Sequence, residues 1–188
     1  VTYSCQGCGN YGGPDSFNFS GNTITNTGGS AMAFGFDAPG DSQTITVTIR
    51  DNYVADVEDG LSISIPGSSN TQHNWVVVNN TVERSNGNAM LLSMNNFGGG
   101  NTGTLTFEAN VFRNTGGTAF TLIQSSIKMS TLTIKDSVFD TQRTGIQMAG
   151  ILGVIDNATF LASVKDDVVL TDGMIDIHNT EVDPTKLK

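Results

Sequence analysis

One short phrase returns seven times along the chain: an apolar residue, Asn or another small residue three positions on, then a second apolar residue two further. It reads Phe19–Asn22–Ile24, Ile49–Asn52–Val54, Val77–Asn80–Val82, Phe107–Asn110–Phe112, Ile134–Ser137–Phe139, Ile155–Ala158–Phe160 and Ile177–Thr180–Val182. Successive copies are separated by 30, 28, 30, 27, 21 and 22 residues. A unit of this length, rich in strand formers, cannot bury its apolar side alone and must stack on its neighbours.

Each unit opens with alternating residues, as in Thr44-Ile45-Thr46-Val47-Thr48-Ile49, so Ile45, Val47 and Ile49 share one face and the threonines the other. A turn ending at the recurring Asn follows, then a polar bend such as Thr25-Asn26-Thr27-Gly28-Gly29. A second strand comes next, in the versions Ala31–Phe34, Leu61–Ile65, Ala89–Leu92, Ala119–Leu122 and Gly145–Met148. Two or three short strands per unit describe an all-β chain, a parallel β-helix of about six to seven coils with rungs about 4.8 Å apart. A propeller blade needs four strands, which a 21-residue unit cannot supply.

Asn22, Asn52, Asn80 and Asn110 are expected to form a structural ladder. Asn tolerates the left-handed backbone of a sharp bend, and stacked amides hydrogen-bond along the axis. The change to Ser137, Ala158 and Thr180 weakens that ladder toward the C-terminus. The expected division is an N-terminal loop or cap over 1–14, one β-helix domain over 15–182 and a tail over 183–188. A solenoid has two open ends, which the first segment and the tail would cover. Long polar closing loops at 35–43, 66–74 and 95–103 would form a ridge suited to recognition.

A net charge of −9 repels phosphates and anionic lipid, so nucleic acid is not an expected partner. No apolar run is long enough to span a membrane, and no signal peptide is evident. The chain starts at Val1, which reads as a processed or excised piece. Cys5 and Cys8 lie in a glycine-rich loop rather than at a helix start. A local disulfide in an oxidising compartment is the first reading, ahead of two free thiols or half of a zinc site.

Over residues 15–182 the chain resembles the right-handed parallel β-helix superfamily of pectate-lyase-like solenoids. That superfamily includes polysaccharide lyases and epimerases, phage tailspikes and autotransporter passengers. In addition, Phe19-Ser20-Gly21-Asn22 and Phe107-Glu108-Ala109-Asn110 are similar to the Phe-x-x-Asn half of the chlamydial polymorphic outer-membrane protein repeat. Gly28-Gly29-Ser30-Ala31 and Gly116-Gly117-Thr118-Ala119 resemble its Gly-Gly-Ala half. These resemblances imply a right-handed coil and, for the second, an adhesive passenger. Fold alone does not fix function.

Enzymes of that superfamily set carboxylates and basic residues on an exposed face, to hold Ca²⁺ or to act as acid and base. Three residues after the recurring position, Glu83, Arg113 and Asp140 align on successive units, with Arg84 beside them. This column is the catalytic candidate if the chain is an enzyme. Its bland counterpart is a solvated salt-bridge ladder on a bend, worth little stability. Asp51, Asp56, Glu58 and Asp59 form a second acidic cluster, with Asp37 and Asp41 nearby. Ca²⁺ there is the one cofactor left open, without a spaced calcium-loop motif to support it. Phe97, with Asn95 and Asn96, is the candidate ligand contact in a loop, whereas Trp75 aligns with core positions. The pairs Thr46/Thr48, Thr104/Thr106 and Thr131/Thr133 would stack into an array like those of β-helical ice-binding proteins, interrupted by Asn74 and Val76. Thr is also simply favoured on exposed strands.

The expected function is therefore a non-catalytic structural or adhesive module of a secreted or cell-surface protein: a stalk, an adhesin or a filament-forming piece. Its partners would be a surface glycan or protein, or further copies joined through coil edges. The alternative is a carbohydrate-active lyase, hydrolase or epimerase, and the third reading is an ice-binding protein.

Overall fold

The structure, a computed structural model, describes residues 2–6, 15–37, 44–65, 72–94, 102–124, 130–161 and 164–188. The chain forms β1 (Thr2–Gln6), then a first rung of β2 (Asp15–Ser20) and β3 (Thr23–Asp37). The second rung is β4 (Thr44–Arg50) and β5 (Tyr53–Ile65). Three-strand rungs follow: β6 (Gln72–Val78), β7 (Thr81–Ser85) and β8 (Met90–Met94); then β9 (Thr102–Glu108), β10 (Val111–Thr115) and β11 (Phe120–Gln124). The next are β12 (Ser130–Lys135), β13 (Val138–Thr141) and β14 (Thr144–Ala149), and then β15 (Leu152–Asp156), β16 (Thr159–Phe160) and β17 (Asp166–Thr171). The last strand is β18 (Met174–His178), followed by a 3₁₀ turn, Pro184–Lys186.

Every named strand pair is parallel, and the fold is an all-β parallel solenoid. The strands that open each unit form one seven-stranded sheet, β2-β4-β6-β9-β12-β15-β18. The remaining eleven form the second sheet, in which β3 and β5 run through both of the other faces. Among the described residues four rungs have the full three-strand form, fewer than the six to seven coils the phrase suggests. In the first two rungs the expected polar bend lies inside one long strand. Asn26 and Asp56 take the left-handed conformation there without ending the pairing, and the register only slips between Thr27 and Ser30.

Register follows the phrase. Phe19 pairs with Ile49, Ile49 with Val77, Val77 with Phe107, Phe107 with Ile134, Ile134 with Ile155 and Ile155 with Ile177. Alternation sends these residues inward, and Ile49, Val77, Phe107, Ile134 and Ile155 are buried in one continuous core. Trp75 is fully buried beside Val47 and Leu105, its neighbours in register. From the second sheet come the columns Val54–Val82–Phe112–Phe139 and Leu61–Met90–Phe120–Ile146. Phe107 meets Phe120 edge-on at 4.8 Å, which joins the two sheets across the interior.

The recurring Asn does not itself make the bend. The left-handed residue is its predecessor: Gly21, Asp51, Asn79, Ala109, Asp136, Asn157 and Asn179 all have φ between 48° and 67°. Asn and Asp bear this conformation best among residues with a side chain, and five of the seven are of these types. Turning the chain one residue early leaves the following amide facing the interior. Asn22 Nδ2 donates to Asn52 Oδ1 at 2.8 Å, Asn52 Nδ2 to Asn80 Oδ1 at 2.8 Å, and Asn80 Nδ2 to Asn110 Oδ1 at 3.0 Å. Each Oδ1 also accepts the backbone N–H of the preceding Asn, at 3.0–3.1 Å. Ser137 Oγ accepts from Asn110 N–H at 3.2 Å, and Thr180 Oγ1 from Ala158 N–H at 3.0 Å.

Residues 2–6, expected in a loop or cap, extend the second sheet by pairing with Ala33–Asp37. At the other end Leu187 bridges to Val168 beside the edge of β17, and Lys188 N–H donates to Val168 O at 3.1 Å. Asp183 caps the 3₁₀ turn by accepting from Thr185 N–H at 2.9 Å.

Candidate functional site

The charged column is set by sheet pairing. Glu83 on β7 lies opposite Arg113 on β10, and Arg113 opposite Asp140 on β13. The three residues stand on strands rather than on the expected bend; the bend is the next position, where Arg84 and Asn114 are left-handed. Tyr53 Oη donates to Glu83 Oε1 at 2.5 Å, and Arg84 donates to the same oxygen. Arg84 also makes a fork to Asp56, Nε to Oδ1 at 2.8 Å and Nη2 to Oδ2 at 3.0 Å. The Tyr53 and Arg84 hydrogen bonds hold Glu83 below its ordinary carboxylate range, and the Arg84 contact does the same for Asp56. Arg84 is held firmly protonated by Asp56, Tyr53 and Glu83. A carboxylate kept ionised in this way is a poor proton donor near neutral pH. Tyr53 was not legible as a partner of Glu83, because it lies a rung away; Arg84, beside the column in sequence, turns back to Glu83 from a left-handed bend.

The acidic cluster separates into individually engaged groups. Asp51 accepts from Asn79 Nδ2 at 2.7 Å, Glu58 from Asn86 Nδ2 at 3.2 Å, and Asp59 from Asn88 N–H at 3.0 Å. Asp56 belongs to Arg84. Among the described residues no group of three or more His, Cys, Asp or Glu could hold a metal ion. Instead Asp59 starts a second ladder, in which Asn88 Oδ1 accepts from Thr118 N–H at 3.0 Å. Asn95, Asn96, Phe97, Asp41 and Cys8 lie outside the described residues, as does the side chain of Cys5.

The seven-stranded sheet turns a broad face outward. Register gives two rows along it. The first is Ser16, Thr46, Asn74, Thr104, Thr131, Leu152 and Met174; the second is Asn18, Thr48, Val76, Thr106, Thr133, Val154 and Asp176. Thr44, Gln72 and Thr102 continue the array to one side. From Ser16 to Val154 these rows carry no charge. Charges collect in the row next to the bend, at Arg50, Glu108, Lys135 and Asp156. Thr104 Oγ1 donates to Asn74 Oδ1 at 3.1 Å, so Asn74 continues the polar row it interrupts in sequence. Phe17, Phe19, Trp75 and Phe107 of the same strands have the inward parity.

At the C-terminal end a cavity of about 560 Å³ is lined by Phe160, Asp167, Thr180, Glu181, Asp183 and Lys186. Asp167 is buried there, accepts from Asp183 N–H at 3.0 Å and lies 3.9 Å from Lys186 Nζ. Among the described residues no helix is long and apolar enough to cross a membrane. No protein-family model matches the chain, and no curated protein matches it.

Proposed function

We propose that the chain is a non-catalytic module of a secreted or cell-surface protein, a stalk or adhesive piece that binds through the outward face of its seven-stranded sheet. The supporting observation is the segregation of charge on that sheet: two rows stay neutral over six rungs, while charges gather beside the bend. A neutral face built on fully paired strands is rigid and keeps its shape on contact. A right-handed coil of the pectate-lyase-like kind belongs to the same reading, as does an extracellular setting with a surface glycan or protein as partner. Calcium is not needed by this reading.

The register of Glu83, Arg113 and Asp140 favours one second reading, a carbohydrate-active enzyme working on that column. Incubation with a panel of neutral and acidic polysaccharides separates the two. No new reducing ends and no unsaturated products are expected, whether or not a glycan is retained. Product formation that disappears in Glu83→Gln or Asp140→Asn would overturn the proposal.

A further inference from the structure

We infer that the ligand of the outward face is an ordered water lattice, the surface of ice. The inference rests on the reading above that this face is the working surface, and sets ice in place of a glycan or protein as its occupant.

The face repeats in two directions. Parallel rungs place equivalent residues about 4.8 Å apart, and alternate residues of one strand are about 6.6 Å apart. Water held tetrahedrally by hydrogen bonds of about 2.75 Å has second-neighbour oxygens about 4.5 Å apart and an axial repeat of about 7.3 Å. The rung mismatch of roughly 0.3 Å accumulates to about 1 Å over the four rungs from Thr46 to Thr131, which leaves the rows in step with the lattice. The mismatch along a strand is near 0.7 Å per step, tolerable because the array is only two to three residues wide.

The chemistry of the face agrees with that occupant. Six of the eight positions formed by Thr46/Thr48, Asn74/Val76, Thr104/Thr106 and Thr131/Thr133 are Thr. Each Thr presents a hydroxyl that donates and accepts, and a methyl that does neither. Val76 keeps the methyls, and Asn74 keeps a polar group that is already joined to Thr104. An uncharged lattice asks for an uncharged face, and fixed charges would hold their own disordered hydration shells. A polysaccharide chain usually rests on exposed aromatic rings, whereas the described aromatic residues of these strands have inward parity. A linear chain would also use one row, not a two-dimensional array.

The test is thermal hysteresis and crystal shaping in a nanolitre osmometer, with the folded chain and with Thr104→Tyr, Thr133→Tyr and Gln147→Tyr. Gln147 is exposed on the other sheet and serves as the control. Faceted crystals and measurable hysteresis are expected from the parent and from Gln147→Tyr. At least a several-fold loss is expected from either Thr variant, with unchanged circular dichroism and melting. Round crystals with the folded parent, or equal activity in all variants, would overturn the inference. Binding to an insoluble polysaccharide that Thr133→Tyr abolishes, without any effect on ice, would also overturn it and leave the face as the adhesive surface. Failure of both assays would remove that reading as well.

Discussion

Asn80 is nearly fully buried and serves four neighbours at once. Its Oδ1 accepts the backbone and side-chain N–H groups of Asn52, and its Nδ2 reaches Asn110 Oδ1, Ile49 O and Val78 O. Asn80→Ala would strand the buried donors of Asn52 on one side and take the donor from acceptors on the other, which costs about 1–3 kcal/mol for each group left unpaired. A total loss of about 2–4 kcal/mol is expected by urea denaturation. Asn110→Ser should cost less, because Ser137 already accepts from the backbone N–H before it. Equal losses at the two sites would remove the ladder from the account. His73 behaves differently. It sits inside between Ile45 and Gly103 in register, and neither ring nitrogen has a hydrogen-bond partner among the described residues. Burial pushes its pKa down from 6.5 to about 4. The unfolded chain therefore takes up the proton first as pH falls. The stability linked to His73 is complete above about pH 6.5, declines below it and levels off under about pH 4, a loss of about 3 kcal/mol. Denaturation curves of the parent and His73→Leu at pH 7.5 and pH 4.5 check this: the difference between them should narrow in favour of the variant at the lower pH. A constant difference would contradict the buried neutral imidazole.

At the scale of the element, close approach between rungs selects glycine in some positions and not in others. A Cβ on Gly103 would stand 2.2 Å from His73 O, and one on Gly117 would stand 2.7 Å from Gly87 C. A Cβ on Gly29 would meet nothing within 4 Å. Gly103→Ala and Gly117→Ala should each cost about 1–3 kcal/mol, since backbone must move to admit the methyl. Gly29→Ala should change stability by no more than about 0.5 kcal/mol. The same urea titration measures all three, and a large loss at Gly29 would show that its rung is packed otherwise. The Gly-Gly pairs at 28–29 and 116–117 look alike in sequence, yet only the second is held between rungs. Sequence showed which strands would stack because the inward column Phe19–Ile49–Val77–Phe107 is written in apolar residues. It did not show where the chain turns. The left-handed residue can be Gly, Asp, Asn or Ala, and its position is fixed by the backbone rather than by side-chain type. Nor did it show β3 and β5 as unbroken strands, because Asn and Gly there read as a turn while neighbouring rungs keep the pairing.

For the whole molecule, stacking converts sequence periodicity into surfaces. The inner columns make one core, the recurring amides make a ladder, and the outward residues of one sheet make a neutral array. Charge is displaced to the bends, where Arg84 ties Glu83 to Asp56. The alignment of Glu83, Arg113 and Asp140 was legible as an offset from the recurring position, and so were the threonine pairs. Tyr53, which also holds Glu83, was not, since pairing across a rung joins residues 30 apart in sequence. The most direct test of in-register parallel stacking is a methyl-resolved nuclear Overhauser spectrum of the labelled chain. The account predicts strong contacts Thr104–Thr131 and Thr106–Thr133 on the outside, with Ile134–Ile155 and Val47–Trp75 within. Strong Thr104–Thr133 and Thr106–Thr131 contacts, as antiparallel pairing would produce, would contradict it.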